Sequence, residues 1–315
     1  MNKATKILAL VCAMLMLVVT AAGCTATPAA EPSAEATAEA TAAPETTPEA
    51  TEEAAEPSAE PSAQESATTG ETPTLDAIRE RGQLILATES TYPPFEFIVI
   101  EDGQSVGVGF DVSLAQAIAD KLGVELVTSE MAFDSMIPAV QAGTADMAAS
   151  LTPDDERRQA VDFTENYYDT TNCFLVRKGE EANFTAKESF DGKTIGAQMG
   201  TAQNTLVVEE MTNAQSLLLP KTTTLIQELK TGNIDAICLE KPVADIYAAA
   251  YPDDVVVCSY EVPVEDGGVA IAIAKGQEDL VAFINEVIAE MKANGEMERL
   301  YNEACALAVD QLSEE

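Results

Sequence analysis

Two predicted strand ends hold the residues best placed for chemistry. Ser150-Leu151-Thr152 closes one short apolar run, and Glu240 follows another at Ala236 to Leu239. Ligands of open α/β sheets bind beyond the carboxyl ends of strands, so both positions are candidates on that ground alone. Arg157 lies just past the first strand end, near the hydroxyls of Ser150 and Thr152. Its planar fork can donate two parallel hydrogen bonds to a carboxylate, while Glu240 offers the opposite charge. A cation and an anion a few ångströms apart suit a zwitterion. Taken singly, Arg157 in its acidic stretch could be a solvated surface charge, and Glu240 a strand-end carboxylate facing water.

Other chemistries are excluded by what the chain lacks. It has no histidine, which removes Ser-His-Asp and Cys-His catalysis and every His-ligated zinc site. No cysteine pair has CxxC spacing. Cys173, Cys238, Cys258 and Cys305 stand mostly in apolar contexts and read as buried free thiols, although an exported protein can form disulfides. No catalytic residue, metal ligand or cofactor is expected. The net charge of −37 repels phosphate backbones and argues against nucleic-acid binding.

Alternating strand-like and helical patterns must position these residues, and they predict an α/β fold with mainly parallel strands. Gln83 to Thr88 and Val124 to Thr128 read as strands. Leu114 to Leu122, closed by Gly123, reads as a helix. Two segments look like one unit used twice: Met136 to Ser150 and Leu225 to Leu239. Each is a helix, a glycine, an aspartate and an apolar strand. Leu280 to Met291 is an amphipathic helix, and Glu296 to Leu307 a last one.

Three segments carry a family resemblance. The first is Glu89-Ser90-Thr91-Tyr92-Pro93-Pro94-Phe95-Glu96-Phe97 with Gly109-Phe110-Asp111-Val112. The second is Phe133-Asp134, Ser150 to Arg157 and Val161-Asp162-Phe163-Thr164. The third is Gly196 to Gln203, then Ile234-Asp235-Ala236 leading to Glu240. In order and spacing, over about residues 75 to 306, the chain resembles the polar amino-acid-binding proteins of ABC importers, solute-binding protein family 3. The resemblance implies a two-lobed periplasmic-binding-protein fold of type II, with a cleft between α/β lobes joined by two crossing strands. The crossings are expected near Asp169 to Asn172 and Glu265 to Val269.

The resemblance also implies roles. Arg157 would clamp the α-carboxylate of a free amino acid and Glu240 hold its α-ammonium, although the family usually has aspartate there. Tyr92 and Phe133 would sandwich the aliphatic part. Ser150, Leu151, Thr152, Thr201, Ala202 and Gln203 would complete the pocket. Glu89 and Gln198 would face the ligand side chain and suggest a polar or cationic one, although Glu89 could equally be a rim charge. Gly109-Phe110-Asp111 is expected to frame a helix N-terminus. A sensor passing occupancy to a receptor, or a dehydratase on the same fold, are alternative readings.

The N-terminal part sets the location. Lys3 and Lys6 precede an apolar run from Ile7 to Gly23, the layout of a secretory signal and shorter than a spanning helix needs. Ala21-Ala22-Gly23-Cys24 resembles a lipobox, with Ala21 in place of the usual leucine, so Cys24 would carry a lipid. Thr25 to Thr72 has glutamate as its only charged residue and no aromatic, a composition that predicts a disordered, extended spacer. The expected organisation is a signal over 1–23 and a lipidated linker over 24–73. One lobe comprises 74–170 with 268–306, the other 171–267, and a tail covers 307–315. The expected partners are an amino acid, an ABC permease with its ATPase, and the extracytoplasmic membrane face through the lipid alone, with the protein a monomer.

Overall fold

A computed structural model describes residues 72–314; the signal, Cys24 and nearly all of the spacer lie outside the described residues. Helix α1 (Pro73–Arg81) leads into strand β1 (Gln83–Thr88), which has the predicted bounds. Strands β2 (Thr91–Tyr92), β3 (Glu96–Glu101) and β4 (Gln104–Val108) form a small antiparallel sheet. Helix α2 (Phe110–Leu122) starts four residues before its predicted start, because Phe110 belongs to its buried stripe with Leu114, Ile118 and Leu122. Gly123 ends α2 in the left-handed conformation, its N–H bonded to the carbonyls of Ala119 and Asp120.

Strand β5 (Glu125–Glu130), helix α3 (Met136–Gln141), strand β6 (Met147–Leu151), helix α4 (Asp155–Ala160) and strand β7 (Val161–Phe163) complete the first half. Strand β8 (Tyr168–Arg177) leads into the second. There lie strand β9 (Thr194–Gln198), helix α5 (Ala202–Thr205), strand β10 (Gln215–Leu219), helix α6 (Thr222–Thr231), strand β11 (Ala236–Glu240) and helix α7 (Lys241–Ala250). The long strand β12 (Val255–Ala274) returns, and helices α8 (Glu278–Asn294) and α9 (Glu296–Ser313) follow. Helix α9 passes the expected end at Leu307 and takes in most of the expected tail. The reason is its apolar spacing: Ala304, Ala308 and Leu312 are one turn apart and all buried.

The main sheet runs β10-β9-β11-β8-β12-β6-β1-β5, with β7 on β12. Within each half the inner strands are parallel, β6-β1-β5 and β10-β9-β11. Strands β8 and β12 run antiparallel to each other between the halves, with Val262 opposite Asn172 and Gly268 opposite Asp169. The two backbones approach so closely that a Cβ on Gly268 would lie 2.2 Å from the Tyr168 carbonyl oxygen. The fold is the two-lobed type II arrangement that the resemblance implied.

The repeated unit uses one device twice. Asp146 donates its N–H to the Ile85 carbonyl at 2.9 Å and accepts the Ile85 N–H on Oδ2 at 2.7 Å. Asp235 does the same with Thr194, at 2.8 and 2.9 Å. Each aspartate ties the start of its own strand to the strand beside it, which fixes where the opposite, carboxyl ends emerge. Those ends carry Ser150 and Glu240.

Candidate functional site

Ten of the twelve expected ligand-binding residues line one small cavity: Tyr92, Phe133, Ser150, Thr152, Arg157, Gln198, Thr201, Ala202, Gln203 and Glu240. Leu151 points into the core instead, packed with Met136, Val140 and Val161. Glu89 is buried but stands behind Gln198 and does not line the cavity.

Arg157 is positioned by the start of its own helix. Asp154 caps α4, accepting the Arg157 N–H at 2.7 Å on Oδ1, while Oδ2 lies 3.4 Å from Nε. The guanidinium is thereby turned away from solvent, with its side chain only 11% exposed. Nη1 donates to the Thr152 carbonyl at 2.7 Å, and Nη2 to the Gly200 carbonyl at 2.9 Å. The Phe133 ring lies 5.7 Å from the guanidinium carbon, within cation–π range. Burial pulls the guanidinium below its ordinary value, opposed by Asp154, Glu240 and Glu156. An arginine stays charged even so. Each terminal nitrogen bears two N–H groups, so one on each remains for a carboxylate after these carbonyls are served.

Glu240 is the last residue of β11, and only 3% of it is exposed. Its backbone N–H donates to the Tyr92 hydroxyl oxygen at 3.3 Å. Oε1 receives a long contact from Gln203 Nε2, 3.4 Å, and Gln203 is itself held by Asn172 at 2.7 Å. Oε2 is buried with no hydrogen-bond partner. Burial pushes this carboxyl up to about 7; Tyr92, Gln203 and Arg157 oppose the rise and Asp111 adds to it. An unpartnered buried carboxylate oxygen is costly and marks where a donor belongs.

The remaining positions have local causes. Thr201 caps α5, accepting from the Asn204 N–H at 3.1 Å, and donates its hydroxyl to the Gln198 carbonyl at 2.7 Å. Ala202 has no hydroxyl to add, and Gln203 reaches Glu240 in its stead. Gln198 donates to Glu89 Oε2 at 2.7 Å and to the Pro220 carbonyl at 3.0 Å. Both Glu89 oxygens also accept from the Thr91 hydroxyl, at 2.8 and 2.9 Å. Burial pushes Glu89 above the usual carboxylate range, countered by Gln198 and Thr91. Hydrogen bonds from Arg157 to Gly200, Gln198 to Glu89 and Tyr247 to the Thr91 carbonyl at 3.2 Å join residues on either side of β8. The structure is therefore closed over the cavity.

Sequence reasoning missed four supporting groups: Asp154, Gly200, Asn172 and Tyr167. Asp154 had a readable signal, an aspartate three residues before the arginine it caps. The others are brought in only by the fold. Cys173, Cys238, Cys258 and Cys305 carry free thiols.

This fold, with a cation and an anion from different halves facing one cavity, defines a two-lobed solute-binding protein. The chain belongs to the bacterial extracellular solute-binding proteins, family 3, which it matches over residues 84–305. It is 34% identical over 222 residues to the arginine-binding extracellular protein ArtP of Bacillus subtilis (strain 168), covering 69% of this chain and 84% of that protein. It is 31% identical over 227 residues to the L-cystine-binding protein TcyJ of Escherichia coli (strain K12), covering 72% and 84%. The crystal structure of the amino acid ABC transporter substrate-binding protein AbpA from Streptococcus pneumoniae, bound to L-arginine, superposes with a TM-score of 0.72. That match has 34% identity and covers 74% of this chain and 99% of AbpA. This chain is the substrate-binding protein of an amino-acid ABC transporter and works outside the cytoplasm.

Proposed function

We propose that this protein captures a free basic or polar L-amino acid, with arginine the first candidate, and presents it to an ABC permease driven by its ATPase. The observation that carries the reading is Glu240 Oε2, buried and unpartnered in a cavity whose opposite charge is Arg157. The α-carboxylate takes the two remaining Arg157 N–H groups, and the α-ammonium takes Glu240. Tyr92 and Phe133 exclude water, which strengthens both ion pairs. Arginine is favoured for the side chain by Glu89, a buried carboxylate whose direct partners are neutral hydroxyl and amide groups, and by the arginine named for ArtP and AbpA. The reading is capture without catalysis, in keeping with the binding proteins to which the chain is similar.

A ligand that touches both halves favours the closed form, and that difference in affinity drives closure. Cys24 would tether the monomer to the membrane by a lipid, with the glutamate-bearing spacer as its reach. A thermal-shift screen of the common amino acids tests the reading. Arginine, lysine, ornithine, glutamine and histidine should raise the melting temperature well above leucine. Tighter binding of leucine overturns the polar pocket, and no shift with any amino acid overturns capture. Cys24→Ser should free the protein from the membrane fraction; retention there refutes the tether.

A further inference from the structure

Ser150 is the one cavity-lining residue other than glycine with a left-handed backbone, φ 55°. Such a conformation costs a side-chain-bearing residue free energy and persists only where neighbours enforce it. The enforcing groups come from two other elements. Asp111, in the first turn of α2, accepts the Ser150 hydroxyl on Oδ2 at 2.6 Å. It accepts the Tyr167 hydroxyl on Oδ1 at 2.7 Å. The Tyr167 oxygen in turn accepts the Ser150 backbone N–H at 2.9 Å. All three residues are buried, with 1%, 2% and 5% of Asp111, Tyr167 and Ser150 exposed. The ring of hydrogen bonds therefore grips both the N–H and the Oγ of Ser150 from behind the cavity wall.

The proton assignment follows from donor and acceptor counting. Tyr167 spends its oxygen on the Ser150 N–H, so its proton goes to Asp111. The Ser150 hydroxyl proton goes to the other Asp111 oxygen. Both bonds need an ionised Asp111, since a carboxylate accepts on both oxygens and donates from neither. Glu96 is buried close by, its Oε2 accepting from Thr88 at 2.5 Å and its Oε1 without a partner. Burial and the charge of Asp111 push Glu96 well above the usual carboxylate range, while burial pushes Asp111 only to about 6. At neutral pH the proton of this pair resides on Glu96, and Asp111 carries the charge. With its proton drawn away, Ser150 Oγ has only lone pairs left to offer.

We propose that Asp111 is a positioning residue for amino-acid capture: acting with Tyr167, it holds Ser150 in its strained conformation and keeps the serine hydroxyl a pure acceptor for the ligand. The proposal rests on the amino-acid reading above. Glu240 supplies the charge for the ammonium, and Ser150 supplies an oriented neutral acceptor in the wall of the same cavity.

Asp111→Asn preserves shape but replaces one acceptor oxygen by an N–H donor. Either Tyr167 loses its acceptor, or Ser150 must accept and turn its proton into the cavity. The experiment is a double-mutant cycle read by isothermal titration with L-arginine, or with the best ligand of the amino-acid screen. Wild type, Asp111→Asn, Ser150→Ala and the double variant are compared. Asp111→Asn should weaken binding by about tenfold or more in the wild-type background, but by less than about twofold once Ser150 has no hydroxyl. An equal loss in both backgrounds means a general structural effect and overturns the proposal, as does unchanged binding by Asp111→Asn. Should Asp111→Asn not fold, Tyr167→Phe frees the Ser150 N–H and one Asp111 oxygen. It should weaken binding several-fold, and unaltered affinity there overturns the proposal too. Failure of wild type to bind any amino acid overturns the capture reading itself, a result distinct from these.

Discussion

Acidification should loosen the amino acid through Glu240. On the proposed reading the α-ammonium needs this carboxyl ionised, yet burial raises it from 4.5 to about 7 against the pull of Tyr92, Gln203 and Arg157. Below that value the closed, empty cavity holds a proton that the ligand must displace. Each pKa unit is worth about 1.4 kcal/mol. At pH 5, some two units lower, the cost is therefore ~2.7 kcal/mol, or about 100-fold in affinity. Asp111, raised by burial to about 6, steepens the fall below that point because Ser150 and Tyr167 need its ionised form. Isothermal titration with arginine between pH 5 and 8 checks the slope. Glu240→Gln should bind weakly throughout and be nearly flat from pH 8 to 6. The stability of the closed form without ligand should move the other way. A carboxyl raised on folding contributes stability that is complete below its unfolded value of 4.5 and lost as pH rises through about 7. For Glu240 this amounts to at most about 3 kcal/mol. Its melting temperature should thus rise from pH 8 toward pH 5 while the shift produced by ligand shrinks. Wild-type affinity that stays constant from pH 8 to 5 would refute the assignment of Glu240 to the ammonium.

Three other substitutions probe separate parts of the argument. Arg157→Ala removes the only base lining the cavity and leaves a ligand carboxylate buried without its partner, so affinity should fall at least about 100-fold; near-normal binding by calorimetry sinks the clamp. Glu89→Gln should lower the preference for arginine over glutamine about tenfold, and an unchanged ratio in competition titrations removes Glu89 from side-chain selection. Gly268→Ala sets a Cβ 2.2 Å from the Tyr168 carbonyl oxygen, forcing the β8 and β12 backbones apart; urea unfolding should show a loss of about 1–3 kcal/mol, and wild-type stability would mean that the crossing gives way freely.

Much of the scaffold was legible because it rests on local patterns. Strand β1 emerged from five apolar or β-branched residues in six, and the helix–Gly–Asp–strand unit recurred at the two places where Asp146 and Asp235 tie neighbouring strands. Helix α9 ran past its expected end because Ala308 is a small residue, a weak apolar signal whose burial depends on what packs against it. The site was legible as a set of residue types but not as a set of partners. Glu89 and Gln198 are 109 residues apart, and Ser150 and Asp111 are 39 apart. No spacing rule reports that one glutamate ends behind a glutamine, or that an aspartate at a helix start reaches a strand end. Leu151 followed from the alternation of β6: its neighbours Ser150 and Thr152 line the cavity, which turns Leu151 to the opposite face.

The charges around the cavity connect closure to the nature of the ligand. Arg157 and Glu240 line the same cavity, while Asp111 and Glu89 are hydrogen-bonded to the lining residues Ser150 and Gln198 from behind. Burial raises all three carboxyls, so closing the halves without a ligand favours proton uptake or leaves uncompensated charge. A zwitterion supplies one ammonium for Glu240 and one carboxylate for Arg157, which satisfies that pair but adds no net charge. A basic side chain adds the further cation that the buried acids lack. On the proposed reading the closed form would be stabilised most by the ligand whose net charge is positive, and least by a neutral apolar one, even though both present the same α-carbon groups. Selectivity would then come from the cost of closing over unbalanced acids as much as from any single contact with the side chain.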